Sequence, residues 1–419
     1  MTKSLQNLLR ALESRNYRLF FGGQCISLIG TWMTQIAAVW LVYSLTNSAL
    51  LLGLVGFCSQ IPNFIITPFS GILVDRWNRR NILIVTQILS MIQSLTLAGL
   101  TLTGLITIEQ LIGLSLFQGV ISAFDAPARQ VFVTDIVENK AHLGNAIALN
   151  SSMFNGARLV GPAIAGVVIA SLGVGACFLI DGLSYIAVIA GLLAIKIPPK
   201  TLEILHTNGW QRLKEGFEYT FSFPPFRAIL GLLALFSFAG MSYMVLIPIF
   251  AEKILKGDAQ TLGFLTSASG IGALMGGIYL SSRQSIVGLG KLIVSSLGLF
   301  GISLMIFSQS QMLWLSLLMM FITGLCGIIN IASSNTILQT ISEENKRGRL
   351  MSFYTMSFLG ILPFGNLAVG ALANQISAPT TLLLCGILCI LTSFFFRQQL
   401  PKLRQYMRPI YDKLGLLNA

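Results

Sequence analysis

Gly71-Ile72-Leu73-Val74-Asp75-Arg76-Trp77-Asn78-Arg79-Arg80 sets one acid and three arginines between two long apolar runs, roughly residues 48–73 and 81–103. At about 1.5 Å per residue, each run is long enough to cross a hydrocarbon core of about 30 Å as a helix. The charged stretch therefore reads as a tight turn between two membrane spans and not as the solvated face of a soluble helix. Working outward, apolar runs bounded by Gly, Pro and charge predict ten further spans, near 17–44, 107–124, 146–171, 175–196, 227–250, 261–282, 288–308, 311–335, 350–373 and 378–397.

Composition agrees with an all-α membrane protein of twelve transmembrane helices. Of 419 residues 54% are hydrophobic and 10% charged, against roughly 25% charged in a soluble domain. The net charge of +12 does not point to nucleic acid, because topology accounts for it: except for Arg158, Lys253 and Lys256, every Lys and Arg falls in segments on one side of the predicted spans. The positive-inside rule then places both termini in the cytoplasm and the chain in the plasma (inner) membrane as a multi-pass protein. Residues 1–16 lack a cleavage site after a short apolar core, so span 1 is expected to serve as an uncleaved anchor.

Several chemistries are excluded at this level. The six cysteines all lie in apolar runs without an external pairing pattern, and His142 and His206 both fall in predicted cytoplasmic loops. Neither a disulfide framework, a metal site nor an intramembrane histidine relay is expected. The chain has no Gly-x-x-x-x-Gly-Lys-Ser/Thr phosphate loop, which excludes transport powered by ATP bound to this chain. No cofactor is expected, and no catalytic constellation: an enzyme needs a nucleophile, base or metal ligands converging at one depth.

The chain is a duplication. Glu138-Asn139-Lys140 recurs as Glu344-Asn345-Lys346, and Gly161 and Gly166 recur as Gly365 and Gly370. The second copy of the charged turn, Gly276 to Arg283, keeps glycine and one arginine but lacks the aspartate. The expected organisation is an N-terminal six-helix half at 1–196, a cytoplasmic linker at 197–226, a C-terminal six-helix half at 227–397 and a cytoplasmic tail at 398–419. Within the linker Trp210, Leu213, Phe217 and Phe221 recur at helical spacing, the pattern of an amphipathic helix on the inner leaflet.

Gly71-x-x-x-Asp75-Arg76-x-x-Arg79-Arg80 between two spans resembles the loop 2-3 signature of the major facilitator superfamily. Gly30-Thr31-Trp32-Met33, Phe124 to Gln130 at the end of span 4, Asn155 to Pro162 in span 5 and Arg347-Gly348-Arg349 resemble the branch of the enterobactin exporter and the macrolide efflux proteins, and the similarity runs from about 15 to 396. Two departures accompany it: Ser115 stands where many proton antiporters of the superfamily carry an arginine before Gln118-Gly119, and Ala157 and Ala165 stand where glycines are usual. The resemblance implies two pseudo-symmetric halves, a site near the midplane and alternating access.

Asp75 ends a helix at the negative pole of its macrodipole, where Arg76, Arg79 and Arg80 are well placed but a carboxylate needs an outside partner. Arg347 and Arg349 at the start of span 11 offer one, and with Gly71 these residues form the expected cytoplasmic gate, a latch that favours the outward-open state. The alternative is that Asp75 only neutralises its own arginines. Spans 1, 2 and 5 carry polar stripes, which should face a wet cavity or a packed neighbour because polar groups facing lipid are costly. Trp32, Gln35, Asn63, Asn155, Arg158, Tyr243 and Asn330 are the candidate lining of a substrate cavity, with Phe236, Met241 and Tyr354 as wall. A mostly neutral, aromatic and Met-containing lining suits a bulky amphipathic solute.

Arg158 and Asp181 are the charges deepest in spans, about 10 Å apart in depth, which opposes a direct pair. Asp181 also fits a structural role through Ser184 or nearby backbone. Asp125, beside Arg129, and Asp181 are the candidates for proton coupling, with Asp75 behind them. The reading is a secondary exporter of a siderophore-, macrolide- or drug-like solute by proton antiport, monomeric, with protons and membrane lipid as its other partners and no nucleic acid. Alternatives are a lysolipid flippase-like carrier or an importer of the same fold and, more remotely, a membrane-embedded enzyme or a receptor.

Overall fold

Each apolar run becomes a helix in the computed structural model, which describes residues 10–137, 139, 142–195, 209–283, 285–344, 346–413 and 415, without the side chains of 68, 69, 71–73, 75, 76 and 209–214. The membrane-length helices are α1 Arg15–Thr46, α2 Ala49–Arg76, α3 Arg79–Leu102, α4 Ile108–Ile136, α5 Leu143–Leu172 and α6 Val174–Ala194. The second set is α7 Pro224–Ile254, α8 Ala259–Ser282, α9 Leu289–Gln309, α10 Leu313–Ile341, α11 Arg347–Ile376 and α12 Ala378–Lys413. Among the described residues there are no strands, and all twelve helices are long and apolar enough to span a membrane.

Local chemistry sets the helix starts. Ser14 accepts from Tyr17 N at the head of α1, Asn78 accepts from Arg80 N and Asn81 N at the head of α3, and Thr107 with Gln110 forms a capping box on α4. Two helices outrun the expectation from sequence. The stretch Phe124 to Gln130 does not end α4, which continues to Ile136, because Asp125 and Arg129 sit at i and i+4 and pair with each other inside the helix. Residues 398–413, expected as a tail, continue α12 as helix to Lys413, with Leu400, Leu403 and Met407 buried along it.

The chain divides into two compact units. Unit 1 comprises Met1–Asn47, Cys58–Ile204 and Gly257–Ser267, and unit 2 comprises Ser48–Phe57, Leu205–Lys256 and Ala268–Ala419. Unit 1 packs α1 against α4 and α5: Phe20 meets Phe132 of α4 at 5.7 Å between ring centroids, and Tyr17 Oη donates to Ala146 O of α5 at 2.9 Å. In unit 2 α9 and α12 cross where Gly301 faces Gly386, so that a Cβ on either would lie 2.6 to 2.7 Å from the other's carbonyl oxygen.

The duplication is visible in the backbone as well as in the residues. Gly166 on α5 lies against Gly263, its added Cβ 3.3 Å from that Cα, and Gly370 on α11 lies against Gly53, 2.8 Å from that Cα. Each contact is a close approach of two helix backbones that leaves no room for side chains. The turns repeat too: Asn47 after α1 and Lys256 after α7 hold φ of 51° and 53°, and Gly173 after α5 and Ser377 after α11 hold φ of 84° and 97°. The second copy thus places serine where the first uses glycine.

The linker forms a helix, Gly209–Ser222, which belongs to unit 2. The described part of its apolar stripe packs on α11: Phe221 and Phe217 meet Phe353 at 5.9 and 6.2 Å, and Glu215 pairs with Arg349 at 2.8 Å. Trp210 and Leu213 of that stripe lie outside the described side chains.

Ser377 at φ 97°, ψ 153° occupies a region that only glycine enters freely, a strain of about 1–3 kcal/mol. Its Oγ accepts a long bond from Thr380 N at 3.4 Å and meets the Thr380 hydroxyl at 3.0 Å, both exposed bonds within the first turn of α12. Ser377→Gly is expected to raise the thermal unfolding midpoint of the detergent-solubilised protein by about one to three degrees, and Gly173→Ser to lower it; a lower midpoint for Ser377→Gly would remove the strain from the account.

Candidate transport site

The arginines of the charged turn find their partners inside unit 1. Arg79 pairs with Asp135 near the end of α4 at 2.7 Å, both side chains largely buried. Arg80 donates from Nε to Leu192 O at 2.6 Å and from its terminal nitrogen to Leu193 O at 2.7 Å, capping the last carbonyls of α6 where the macrodipole is negative. The sequence reading gave no partner to Arg79, since Asp135 lies more than fifty residues away. Of the remaining expected gate residues, Gly71, Asp75 and Arg76 lie outside the described side chains, Arg349 holds Glu215, and Arg347 donates from Nε to Ser342 Oγ at 3.3 Å.

Two acids lie in the interior of unit 1, and their surroundings differ. Asp125 Oδ1 accepts from Thr86 Oγ1 at 2.9 Å and from Gln87 Nε2 at 2.8 Å, both on α3, while Oδ2 pairs with Arg129. Arg129 in turn donates to Gln24 Oε1 on α1 at 3.2 Å, so three helices share one ion pair. Asp181, 2% exposed, accepts on Oδ2 from Thr34 Oγ1 of α1 at 2.9 Å and from Ser94 Oγ of α3 at 3.0 Å. Its Oδ1 has no hydrogen-bond donor and no cation pairs with it among the described residues. Ser184, the partner anticipated from sequence, donates to the backbone carbonyl of Asp181 at 2.7 Å and leaves the carboxylate to Thr34 and Ser94.

Gly30 explains how α1 reaches this carboxylate. A Cβ there would lie 2.8 Å from Asp181 Oδ1 and 3.0 Å from Asp181 Cα. The glycine of Gly30-Thr31-Trp32-Met33 is thus a space left for the acid of α6. Two residues along, Gly161 on α5 lets Trp32 approach, its added Cβ falling 2.5 Å from Trp32 Cβ. Phe154 then meets the Trp32 ring edge-on at 5.7 Å, and the Arg158 guanidinium sits 5.8 Å from its centroid.

Among the other candidate lining residues, Gln35 is exposed and Asn63 and Asn155 are half-buried, all in unit 1. Tyr243 and Asn330 are instead enclosed in unit 2: Tyr243 meets Ser269 Oγ at 3.3 Å and Phe300 at 6.1 Å, and Asn330 is 0% exposed. A neighbouring helix takes up the Tyr243 hydroxyl, whereas the buried amide of Asn330 has no hydrogen-bond partner among the described residues. Phe236 is likewise buried against Phe300 at 4.9 Å, while Met241 and Tyr354 are half-buried. The reading from sequence missed a joint between α7 and α11, both of which widen to π-helix, at Phe236–Gly240 and Met356–Gly360. Ser237 Oγ donates to the Phe358 carbonyl there, a group that the wider turn releases from the regular helical ladder.

Twelve apolar helices with acids, amides and guanidinium groups among them make a polytopic membrane protein of the major facilitator fold. The profile of the transmembrane secretion effector family matches residues 8–410, and the chain belongs to that family within the major facilitator superfamily. It is similar to the staphyloferrin A transporter of Staphylococcus aureus, 26% identical over 92% of this chain and 97% of that protein. It is also similar to macrolide efflux protein A of Streptococcus pyogenes, 24% identical over 90% and 94%. Among solved structures, a bacterial homolog of the human lysosomal transporter Spinster superposes with a TM-score of 0.72 at 12% identity, covering 91% of this chain and 96% of that one.

Gly30→Ala is expected to lower the thermal unfolding midpoint, because its methyl group meets backbone of α6 and overpacking costs about 1–3 kcal/mol. Gly156→Ala, where nothing lies within 4 Å of the added Cβ, should be neutral or slightly stabilising. Equal midpoints for the two variants would contradict the close approach of α1 to Asp181.

Proposed function

We propose that the chain is a secondary exporter of a bulky amphipathic organic solute, siderophore-, macrolide- or drug-like, working by alternating access and proton antiport in the plasma membrane with both termini in the cytoplasm. The observation that carries this reading is the contrast between the two buried acids of unit 1. Asp125 is committed to Arg129, whereas Asp181 takes the hydroxyls of Thr34 and Ser94 and no cation pairs with it among the described residues. A proton arriving at Asp181 changes the local charge by one without breaking an ion pair. That is the behaviour a coupling acid inside a membrane span requires.

The solute side of the reading rests on α1 and α5, where Trp32, Phe154 and Arg158 group a cation with two aromatic rings beside Gln35 and Asn155. A guanidinium framed by rings suits an amphipathic solute that carries a carboxylate or catecholate. The names of two relatives, a staphyloferrin A transporter and a macrolide efflux protein, support the solute class, and the second supports the outward direction. The distribution of Lys and Arg along the sequence supports cytoplasmic termini.

The test is export of staphyloferrin A and of a macrolide from proteoliposomes carrying a pH gradient. Asp181→Asn should lose gradient-driven export by about tenfold or more while keeping solute exchange, a loss confined to coupling. Arg158→Ala should impair staphyloferrin A more than the macrolide, and Arg158→Lys should restore part. Export that persists when the pH gradient and the membrane potential are both dissipated would overturn the antiport reading in favour of facilitated diffusion.

A further inference from the structure

Outside the polar interior, unit 2 carries a groove of ≈ 670 Å³ between α7 and α12. Its shaft is apolar, with Leu235 on one wall and Leu388 and Phe395 on the other. One end is cationic: Arg227 and Lys402, both exposed, lie at that end with Tyr406. The two cations meet because the helices run antiparallel, Arg227 standing near the start of α7 and Lys402 near the end of α12. Neither pairs with an acid among the described residues. Tyr406, half-exposed and 6.2 Å from the Phe223 ring, borders the same end, where amphipathic rings sit at the level of lipid headgroups.

The dimensions fit one leaflet. From Leu388 to Lys402 the rise along α12 is about 21 Å, which spans half of a hydrocarbon core of about 30 Å and reaches the headgroup layer. The middle of the groove is open: a Cβ at Gly231, which lines it, would meet nothing within 4 Å. Thr392, the hydroxyl of the shaft, donates to its own helix at Leu388 O, 2.8 Å away, and so offers the groove no free donor. Gln399, the other polar side chain of the lining, is exposed one turn before Lys402; a channel otherwise apolar and one leaflet deep, with two unpaired cations at its headgroup end, is complementary to an acidic lipid.

We propose that the α7/α12 groove is a binding site for an anionic phospholipid, its acyl chain along Leu235, Leu388 and Phe395 and its phosphate between Arg227 and Lys402. Given the orientation proposed above, the lipid belongs to the cytoplasmic leaflet.

The experiment is native mass spectrometry of the intact, detergent-purified chain titrated with phosphatidylglycerol or with phosphatidylcholine of the same acyl chains. It depends neither on transport nor on orientation, so it stands apart from the exporter reading. Wild type is expected to hold phosphatidylglycerol about twenty-five-fold more tightly than phosphatidylcholine, roughly fivefold for each of two cations. Arg227→Gln with Lys402→Gln should remove one equivalent of tightly held phosphatidylglycerol. Gly231→Trp, which fills the groove without meeting protein atoms at its Cβ, should remove the same equivalent while keeping the unfolding midpoint. Arg397→Gln, an exposed cation on α12 outside the groove, should change nothing. Equal affinity of wild type for the two lipids, or an unchanged count of bound phosphatidylglycerol in Gly231→Trp, would overturn the proposal.

Discussion

A charge carried into hydrocarbon by a helix must be answered by another group at the same depth, and unit 1 is organised by how its charges are answered. Asp125 is answered on its own helix by Arg129, and the pair is then shared with Thr86, Gln87 and Gln24. Arg79 is answered by Asp135, and Arg80 by the open carbonyls at the end of α6. Asp181 is answered by two hydroxyls, which can stay beside the carboxyl whether it is charged or neutral. The helices α1, α3 and α6 meet at this one group, so its state bears on all three.

Such meetings need helices that approach closely, and small residues make this possible. Gly30 leaves the space that Asp181 occupies, and Gly161 brings Trp32 under Arg158. The same device recurs at Gly166 with Gly263 and at Gly53 with Gly370, one pair in each unit. The halves have diverged around this shared scaffold. Unit 2 has no counterpart to the Asp125 and Asp181 arrangement among its described residues; it has the π-helical joint of α7 and α11, Tyr243 on Ser269, and a linker helix clamped to α11 through Glu215 and Phe353.

Most of this architecture was legible because membrane spans announce themselves locally: twenty apolar residues bounded by charge need no knowledge of their neighbours. The i, i+4 pairing of Asp125 with Arg129 was open to the same local inspection, yet the charge was read as the end of span 4. A pair that satisfies itself does not terminate a helix. Asp135, Thr34 and Ser94 carried no comparable signal, since an acid at a helix end and two hydroxyls among dozens acquire meaning only when α1, α3, α4 and α6 are assembled. Tyr243, whose hydroxyl meets Ser269 of a neighbouring helix, shows the converse. Polarity on a span marks a face that is not against lipid, and neighbouring helices fill such a face as readily as a cavity does. The repeated turn conformations were hidden because Asn47 and Lys256, or Gly173 and Ser377, share a φ and not a residue type.

The central claim is that Asp181 changes protonation when solute binds while Asp125 stays committed to its arginine. Solute-induced difference infrared spectroscopy of the reconstituted protein, reading the carbonyl stretch of protonated carboxyl groups, tests this directly. The account predicts a band that appears or vanishes on adding staphyloferrin A or a macrolide, is absent in Asp181→Asn and persists in Asp125→Asn. A band that survives unchanged in Asp181→Asn, or one lost only in Asp125→Asn, would contradict it.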